Sequence, residues 1–214
     1  RPYITYETSY IESLWWVVKE FSRKKLLYED FKVVPWCTRC ETPLSTHELG
    51  LGYKTVKDRS VYVRFRVRAT SREWERTVIL SWTTTPWTLP GNVALAVNEK
   101  ESYVRIPDPH VKNQWVVLGE KRYRDLVEAH QLPPEYRSRL MLDDIDTFTG
   151  KEIIGVEYEP LFPVDELVSK MSHRVYAADF VTMDEGTGIV HTAVMYGDDD
   201  YRLGKKIGLP LFHT

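Results

Sequence analysis

Residues 61–68 read Val61-Tyr62-Val63-Arg64-Phe65-Arg66-Val67-Arg68, with Val61, Val63, Phe65 and Val67 alternating with Tyr62, Arg64, Arg66 and Arg68. A strict period of two is the pattern of a half-buried strand, with one face on a core and one in water. Beyond it, residues 69–76 read as a charged turn and 77–82 as a second strand, centred on Val78-Ile79-Leu80. The same reasoning predicts strands at 92–98, 102–106, 114–118, 152–158, 174–182 and 187–192. Helices are expected at 120–130, 163–169 and 198–206. Upstream, Ser9 and Glu12 stand at capping-box spacing, and Ile11, Leu14, Trp15, Val18 and Phe21 recur at helical intervals. Many short strands with a few interposed helices predict an α+β fold: a strand-rich domain on a closed or strongly curved β-barrel with a few peripheral helices, preceded by a helical arm. The boundary is placed near residue 45, dividing the chain into 1–45 and 46–214.

The totals narrow the function classes. The 214 residues are 28% charged and 43% hydrophobic, ordinary for a globular protein able to bury a substantial core. Seven Trp and 13 Tyr argue against disorder. A formal charge of −2 excludes a grossly basic nucleic-acid binder but leaves room for a local basic patch. No stretch approaches the roughly 18 uninterrupted apolar residues of a membrane span, and no signal peptide opens the chain. Cys37 and Cys40 form a C-x-x-C pair too close to staple a fold, which points to a reduced, cytoplasmic setting. That spacing suits two ligands of a tetrahedral zinc site; two more would have to come from outside this chain. A thioredoxin-like role is disfavoured by Pro43.

Other features have two readings. Arg64, Arg66 and Arg68 form either a solvated strand face or a phosphate-tracking stripe. Lys170-Met171-Ser172-His173 resembles the start of a class I synthetase ATP signature, but no HxGH partner accompanies it and it reads as coincidence. Residues 81–97, SWTTTPWTLPGNVALAV, crowd small hydroxyls between two prolines, as if to line something polar. In Asp184-Glu185-Gly186-Thr187-Gly188-Ile189-Val190-His191, the glycines permit positive φ or close approach to a ligand. Taken alone, His191 fits a hydrogen-bonded structural residue. Asp198-Asp199-Asp200 fits a helix N-terminus better than a Mg²⁺ site. No G-x-S-x-G, H-E-x-x-H or P-loop is present.

Together, residues 82–92, 186–193 and Gly197-Asp198-Asp199-Asp200-Tyr201 resemble the editing insertion of isoleucyl-tRNA synthetases. The likeness extends through Tyr10-Ile11-Glu12-Ser13-Leu14-Trp15-Trp16, Trp36-Cys37-Thr38-Arg39-Cys40 and Tyr158-Glu159-Pro160-Leu161-Phe162. The valyl and leucyl enzymes are similar but carry Thr-Thr-Arg-Pro and an acidic residue where this chain has Thr-Thr-Thr-Pro-Trp-Thr. The resemblance makes 1–45 an arm and Cys-x-x-Cys knuckle joining the parent catalytic core. It makes 46–214 an editing domain, expected to stop before that domain's C-terminal end. One departure stands out: Val194-Met195-Tyr196 replaces the family's proline, small residue and aromatic, which is expected to reshape the pocket.

What the resemblance implies is hydrolysis of valine mistakenly esterified to isoleucine tRNA. A methylene is worth only about 1–3 kcal/mol to a pocket, a magnitude for which isoleucine-versus-valine selection is itself the standard example, so a second, smaller site must clear the error. By resemblance Thr83, Thr84, Thr85 and Asp200 carry the reaction. The threonines would hold the ester carbonyl, the ribose and a water, and Asp200 would pair with the free α-amino group. Trp82, Asn92, His191 and Gly188 would bind substrate, Asn92 at the terminal nucleoside and His191 beside the side-chain pocket, excluding isoleucine. No nucleophile–base dyad is evident, so water attack assisted by position and by the tRNA's vicinal hydroxyl is expected, without a cofactor. Zinc would be a structural ion at Cys37 and Cys40 in the full-length parent. The implied partners are the tRNA acceptor end carrying valine and the parent's catalytic core, with no membrane and a monomeric state. The alternatives are a catalytically silent tRNA-binding module and a purely structural insertion.

Overall fold

The computed structural model describes residues 3–68, 74–108, 111–129 and 145–214. Most of the predicted charged turn and the end of the helix predicted at 120–130 lie outside the described residues. The chain divides into two compact units, Arg1–Glu48 and Leu49–Thr214.

The first unit holds helix α1 (Thr8–Arg23) and a small hairpin of β1 (Trp36–Cys37) and β2 (Thr42–Pro43). Helix α1 starts at Thr8 after Glu7, with no side-chain cap, so the Ser9–Glu12 box does not form. A reciprocal box forms instead downstream: the Ser45 amide and hydroxyl donate to Glu48 Oε2, and the Glu48 amide donates to Ser45 Oγ. It starts α2 (Thr46–Leu51). The predicted apolar stripe of α1 exists, but none of its residues is buried.

The second unit is built on two sheets. The larger orders its strands β3 (Val61–Arg66), β4 (Thr77–Thr83), β7 (Trp115–Gly119), β6 (Ser102–Pro107) and β8 (Asp146–Thr149). Its pairs are antiparallel except β4–β7, which is parallel. The smaller orders β10 (Val190–Thr192), β5 (Ala94–Val97) and β9 (Arg174–Ala177), with β5–β9 parallel.

The two sheets are packed face to face. Val63, Phe65, Ile79, Tyr103 and Val117 of the larger meet Leu95, Val97 and Val175 of the smaller in one buried cluster. The opposite face of the larger sheet, through Val78, Leu80, Val104, Ile106, Val116 and Leu118, is covered by Tyr123, Leu126 and Val127 of α3 (Glu120–Glu128). Ala96, with Ala178 and Val181, packs against Leu203 of the last helix, which runs from Asp198 to Ile207. Strand β4 is buried on both faces, as expected for a strand with a parallel neighbour. That is why Val78, Ile79 and Leu80 follow one another without alternation.

The expected barrel does not form: both sheets are open, and neither is strongly curled. Among the described residues no named strand pairs with the outer edge of β3 or β8; residues 155–159 instead tie the end of β3 to β9 through the isolated bridges Val67 with Tyr158 and Glu157 with Arg174 and the Glu159 amide donating to the Arg66 carbonyl. The segment predicted as strand 152–158 would have closed the gap. Instead residues Gly150–Ile153 coil into a short helix α4, capped by a Thr149–Glu152 box, and Gly155 turns the chain at φ 87°. Pro160, with no N–H to donate, then ends the pairing. The predicted helix at 163–169 is a single 3₁₀ turn, Asp165–Leu167. Strand β8 was not predicted, although Asp146-Thr147-Phe148-Thr149 is β-branched and aromatic at alternate positions.

The start of α4 lies close to other backbone. A Cβ on Gly150 would stand 2.1 Å from the Asn98 carbonyl oxygen and 2.9 Å from Cε2 of Tyr103. Gly150→Ala is therefore expected to destabilise the chain by about 1–3 kcal/mol, read as a lower urea midpoint at unchanged slope.

Candidate active site

Strand β4 ends at Thr83, and the chain then turns through Thr84 and Thr85 into a 3₁₀ helix, Pro86–Gly91. Two prolines restrict this turn, and hydroxyls hold it internally. The Thr85 amide donates to Thr83 Oγ1 at 3.0 Å, the two hydroxyls lie 3.2 Å apart, and Thr88 Oγ1 donates to the Thr85 carbonyl at 2.8 Å. Thr83 and Thr88 are buried, Thr84 is half-buried and Thr85 is exposed. The opposite side of the site comes from the smaller sheet, where β10 carries His191, and from helix α5 (Asp198–Ile207), which carries Asp200 in its first turn.

These elements surround a cavity of about 360 Å³. Thr83, Thr84, Thr85, His191, Gly188 and Asp200 all line it, and so does Trp82. Thr88, Phe180, Thr182 and Glu185 line it too and were not anticipated. The signal for Thr88 was in the sequence, as a hydroxyl three residues after Thr85 in the same proline-bounded turn. Phe180 and Thr182 lie in a segment predicted as strand, and nothing local marked them.

Asn92 is elsewhere. It is 4% exposed, its Nδ2 donates to the Ala94 carbonyl, and its Oδ1 accepts from the Tyr158 hydroxyl at 2.8 Å. Both ends of the amide are engaged inside the protein, below the turn and not in the cavity. The departure at 194–196 also falls differently than expected. Val194 is 2% exposed and packs with Val93, Ala94 and Leu209, away from the cavity. Tyr196 does line the cavity, but its ring lies against Gly91, where a Cβ would come within 2.7 Å, and its hydroxyl donates to the Thr214 carbonyl.

Loop 184–189 closes the remaining side and is held by its carbonyls. Arg122 Nε donates to Gly186 O, the Gly119 amide to Thr187 O and the Tyr103 hydroxyl to Gly188 O, at 3.1, 2.7 and 2.9 Å. Gly186 and Gly188 take the positive φ values, 63° and 72°, that let the chain turn there.

Two titratable groups of the site, Asp200 and His191, are pushed in opposite ways by burial. The Asp200 carboxyl is driven up to about 6, partly offset by the Ala193 amide that donates to its Oδ2 at 3.1 Å. The His191 imidazole is driven down to about 4, so it is neutral at neutral pH. Its tautomer follows from the hydroxyl beside it. Thr88 Oγ1 has one proton, donated to Thr85 O, so at 3.0 Å it accepts from His191 Nε2–H. The lone pair is left on Nδ1, which is buried with no hydrogen-bond partner among the described residues. Thr88→Val, which removes that acceptor, is expected to cost about 1–3 kcal/mol. It should also turn the single Nε2–H tautomer into a mixture, read from the ¹⁵N shifts of His191.

The arginine row is not uniformly solvated: Arg64 is half-buried, and Arg66 and Arg68 are exposed. Arg64 pairs with Asp108 and donates to Gln114, and Arg66 lies 3.7 Å from Glu159. Cys37 and Cys40 sit on the β1–β2 hairpin, where the Cys40 amide donates to Cys37 Sγ at 3.4 Å and lowers the Cys37 thiol below its usual range. Amides directed at a sulfur suit a thiolate ligand. Among the described residues, however, no third histidine, cysteine or carboxylate joins them, so the pair does not by itself make a metal site. Nor is any described helix long and apolar enough to cross a membrane.

Three comparisons bear on this geometry. The family model for tRNA synthetases class I (I, L, M and V) matches residues 1–149. Over 213 residues, covering 100% of this chain, the sequence is 44% identical to an isoleucine–tRNA ligase of Clostridium novyi (strain NT). It is 41% identical over 214 residues to one of Bacillus thuringiensis (strain Al Hakam). The chain spans 19% of the length of these curated relatives. Among solved structures, the crystal structure of GlLeuRS-CP1 superposes with a TM-score of 0.51 at 18% identity, covering 70% of this chain and 60% of that one. At that identity the likeness concerns the fold alone.

Proposed function

We propose that this chain, which belongs to the class I tRNA synthetases (I, L, M and V), hydrolyses the ester of valine mischarged onto isoleucine tRNA. The observation that carries this reading is the convergence on one cavity of Thr83, Thr84, Thr85, His191 and Asp200, drawn from three separate parts of the sequence.

The geometry supports a division of labour. Asp200 is a half-buried carboxylate on the cavity wall, where Glu185 is exposed, and it accepts only a single amide, from Ala193, among the described bonds. Its remaining acceptor positions suit the α-ammonium of an aminoacyl ester, which would orient the ester and exclude N-blocked compounds. The threonine hydroxyls and the turn's amides suit an ester carbonyl, a ribose and a water held in line with it. His191, neutral and fixed by Thr88, forms a rigid wall whose position limits the side chain admitted. Valine fits this reading because it differs from isoleucine by the single methylene that such a wall can reject. No step needs a metal; zinc on Cys37 and Cys40 would be structural and would need ligands beyond this chain. The silent-module alternative has residues 194–196 block the pocket; Val194 is buried away from it, and Tyr196 lines it with its ring against Gly91.

The first test is deacylation of valyl- and isoleucyl-tRNA, both on isoleucine tRNA. The chain should release valine, spare isoleucine and lose at least about thirtyfold in kcat/KM on Asp200→Ala, the lower end expected for a desolvated charge-pair anchor of about 2–5 kcal/mol. Cleavage of neither ester by the unaltered chain would sink the reading. The second test is pH. Binding an ammonium needs Asp200 ionised, and its carboxyl titrates near 6. Hence kcat/KM should hold above that value and fall about tenfold per unit below it. His191, titrating near 4, adds nothing in this range. The Asp200→Asn variant should show a flat, low profile between pH 5 and 7.

A further inference from the structure

A second cavity, of about 600 Å³, adjoins the first. Trp82, Glu185 and Gly186 line both, so the two share one rim. Its other walls are Tyr62, Arg122, Leu126 and Asp184, with Ser60 at its edge. Nothing in the hydrolytic reading uses Tyr62 or this space.

The walls are built in register. Tyr62 and Trp82 are direct partners across the antiparallel β3–β4 pair, so their side chains stand side by side on one sheet face. Helix α3 covers that face further along, and its first turns supply Arg122 and Leu126. The Arg122 side chain is only 15% exposed, and its guanidinium is pinned by Asp125 at 3.1 Å and by the Gly186 carbonyl. Trp82 lies against Gly186, where a Cβ would come within 3.1 Å of its Cε3. Tyr62, by contrast, is 41% exposed with its ring available. Neighbouring aromatic rings beside a fixed guanidinium form a stacking platform for an unpaired base. The carboxylates of Asp184, paired with Lys121 at 3.1 Å, and Glu185 accept hydrogen bonds and repel phosphate. They therefore suit the amino edge of a base, not the backbone.

We propose that this second cavity stacks the base of the nucleotide preceding the terminal adenosine of the tRNA, a cytidine whose exocyclic amine faces Asp184 and Glu185. This rests on the editing reading. The ester and its own nucleoside occupy the first cavity, and the strand leaves across the shared Glu185–Gly186 rim into the second.

The test separates the two ideas. Hydrolysis is measured on valyl-tRNA and on 2′(3′)-O-valyl-adenosine, with the unaltered chain, Tyr62→Ala and Tyr62→Phe. Tyr62→Ala should raise KM for valyl-tRNA about five- to a hundredfold, the range for loss of one stacked base. It should leave kcat and valyl-adenosine hydrolysis unchanged, and Tyr62→Phe should behave as the unaltered chain. Equal losses on both substrates would overturn the proposal in favour of the terminal nucleoside, and no loss on either would leave the cavity without a nucleotide. Binding of cytidylyl-adenosine and of adenosine is followed in parallel by tryptophan fluorescence. The dinucleotide should bind about five- to a hundredfold tighter, with the advantage lost in Tyr62→Ala. That readout holds even if neither ester is cleaved, the outcome that would overturn the editing reading alone; equal affinities would overturn the stacking site.

Discussion

The Tyr103 hydroxyl ties the scaffold to its site. It accepts from the Asn98 amide at 3.0 Å and donates to the Gly188 carbonyl at 2.9 Å, on a side chain with no solvent exposure. One bond fixes the chain just after β5, in the smaller sheet; the other fixes the glycine loop; the ring belongs to the larger sheet. Burial raises the phenol far above its ordinary range, so the group is a neutral donor at neutral pH. Gly150 has to be glycine because that ring and the Asn98 carbonyl leave no room for more.

From this junction the site is assembled by strands that end where the cavity begins. Strand β4 delivers Trp82 and Thr83, β10 delivers His191, and helix α5 presents Asp200 within its first turn. An N-terminal turn favours a carboxylate, yet desolvation outweighs that here and leaves the group titrating near 6. The same burial acts on His191 in the opposite direction. Burial in one site thus leaves an acid that ionises close to neutrality beside an imidazole that does not charge there.

Much of this was legible in the residues. The alternation at 61–68 marked β3, the Val78-Ile79-Leu80 run marked β4, and the crowding of hydroxyls around Pro86 marked the cavity wall. What failed, failed for physical reasons. Periodicity cannot tell that 152–158 will be turned by Gly155 and ended by Pro160, so the barrel stayed open. A capping box depends on where a helix actually starts, and Ser9 already lies inside α1. Asn92 looked like a polar contact beside a pocket. Its burial against Tyr158, far along the chain, could not be seen from the turn alone. The Thr88–His191 pair was hidden for the same reason, being a contact between two segments distant in sequence.

The replacement at 194 carries a further implication for how such a sequence can change. Val194 fills the space above Gly204, where a Cβ would lie 2.6 Å and 2.7 Å from its two methyl carbons. The two positions are sterically coupled across the β10–α5 junction, so substitutions there are not interchangeable in order. A lineage can acquire a branched residue at 194 only while 204 is glycine. Once the valine is present, it locks the glycine in place. The helix that presents Asp200 therefore carries a residue set not by its own helical preference, which would favour alanine, but by the valine packed against it.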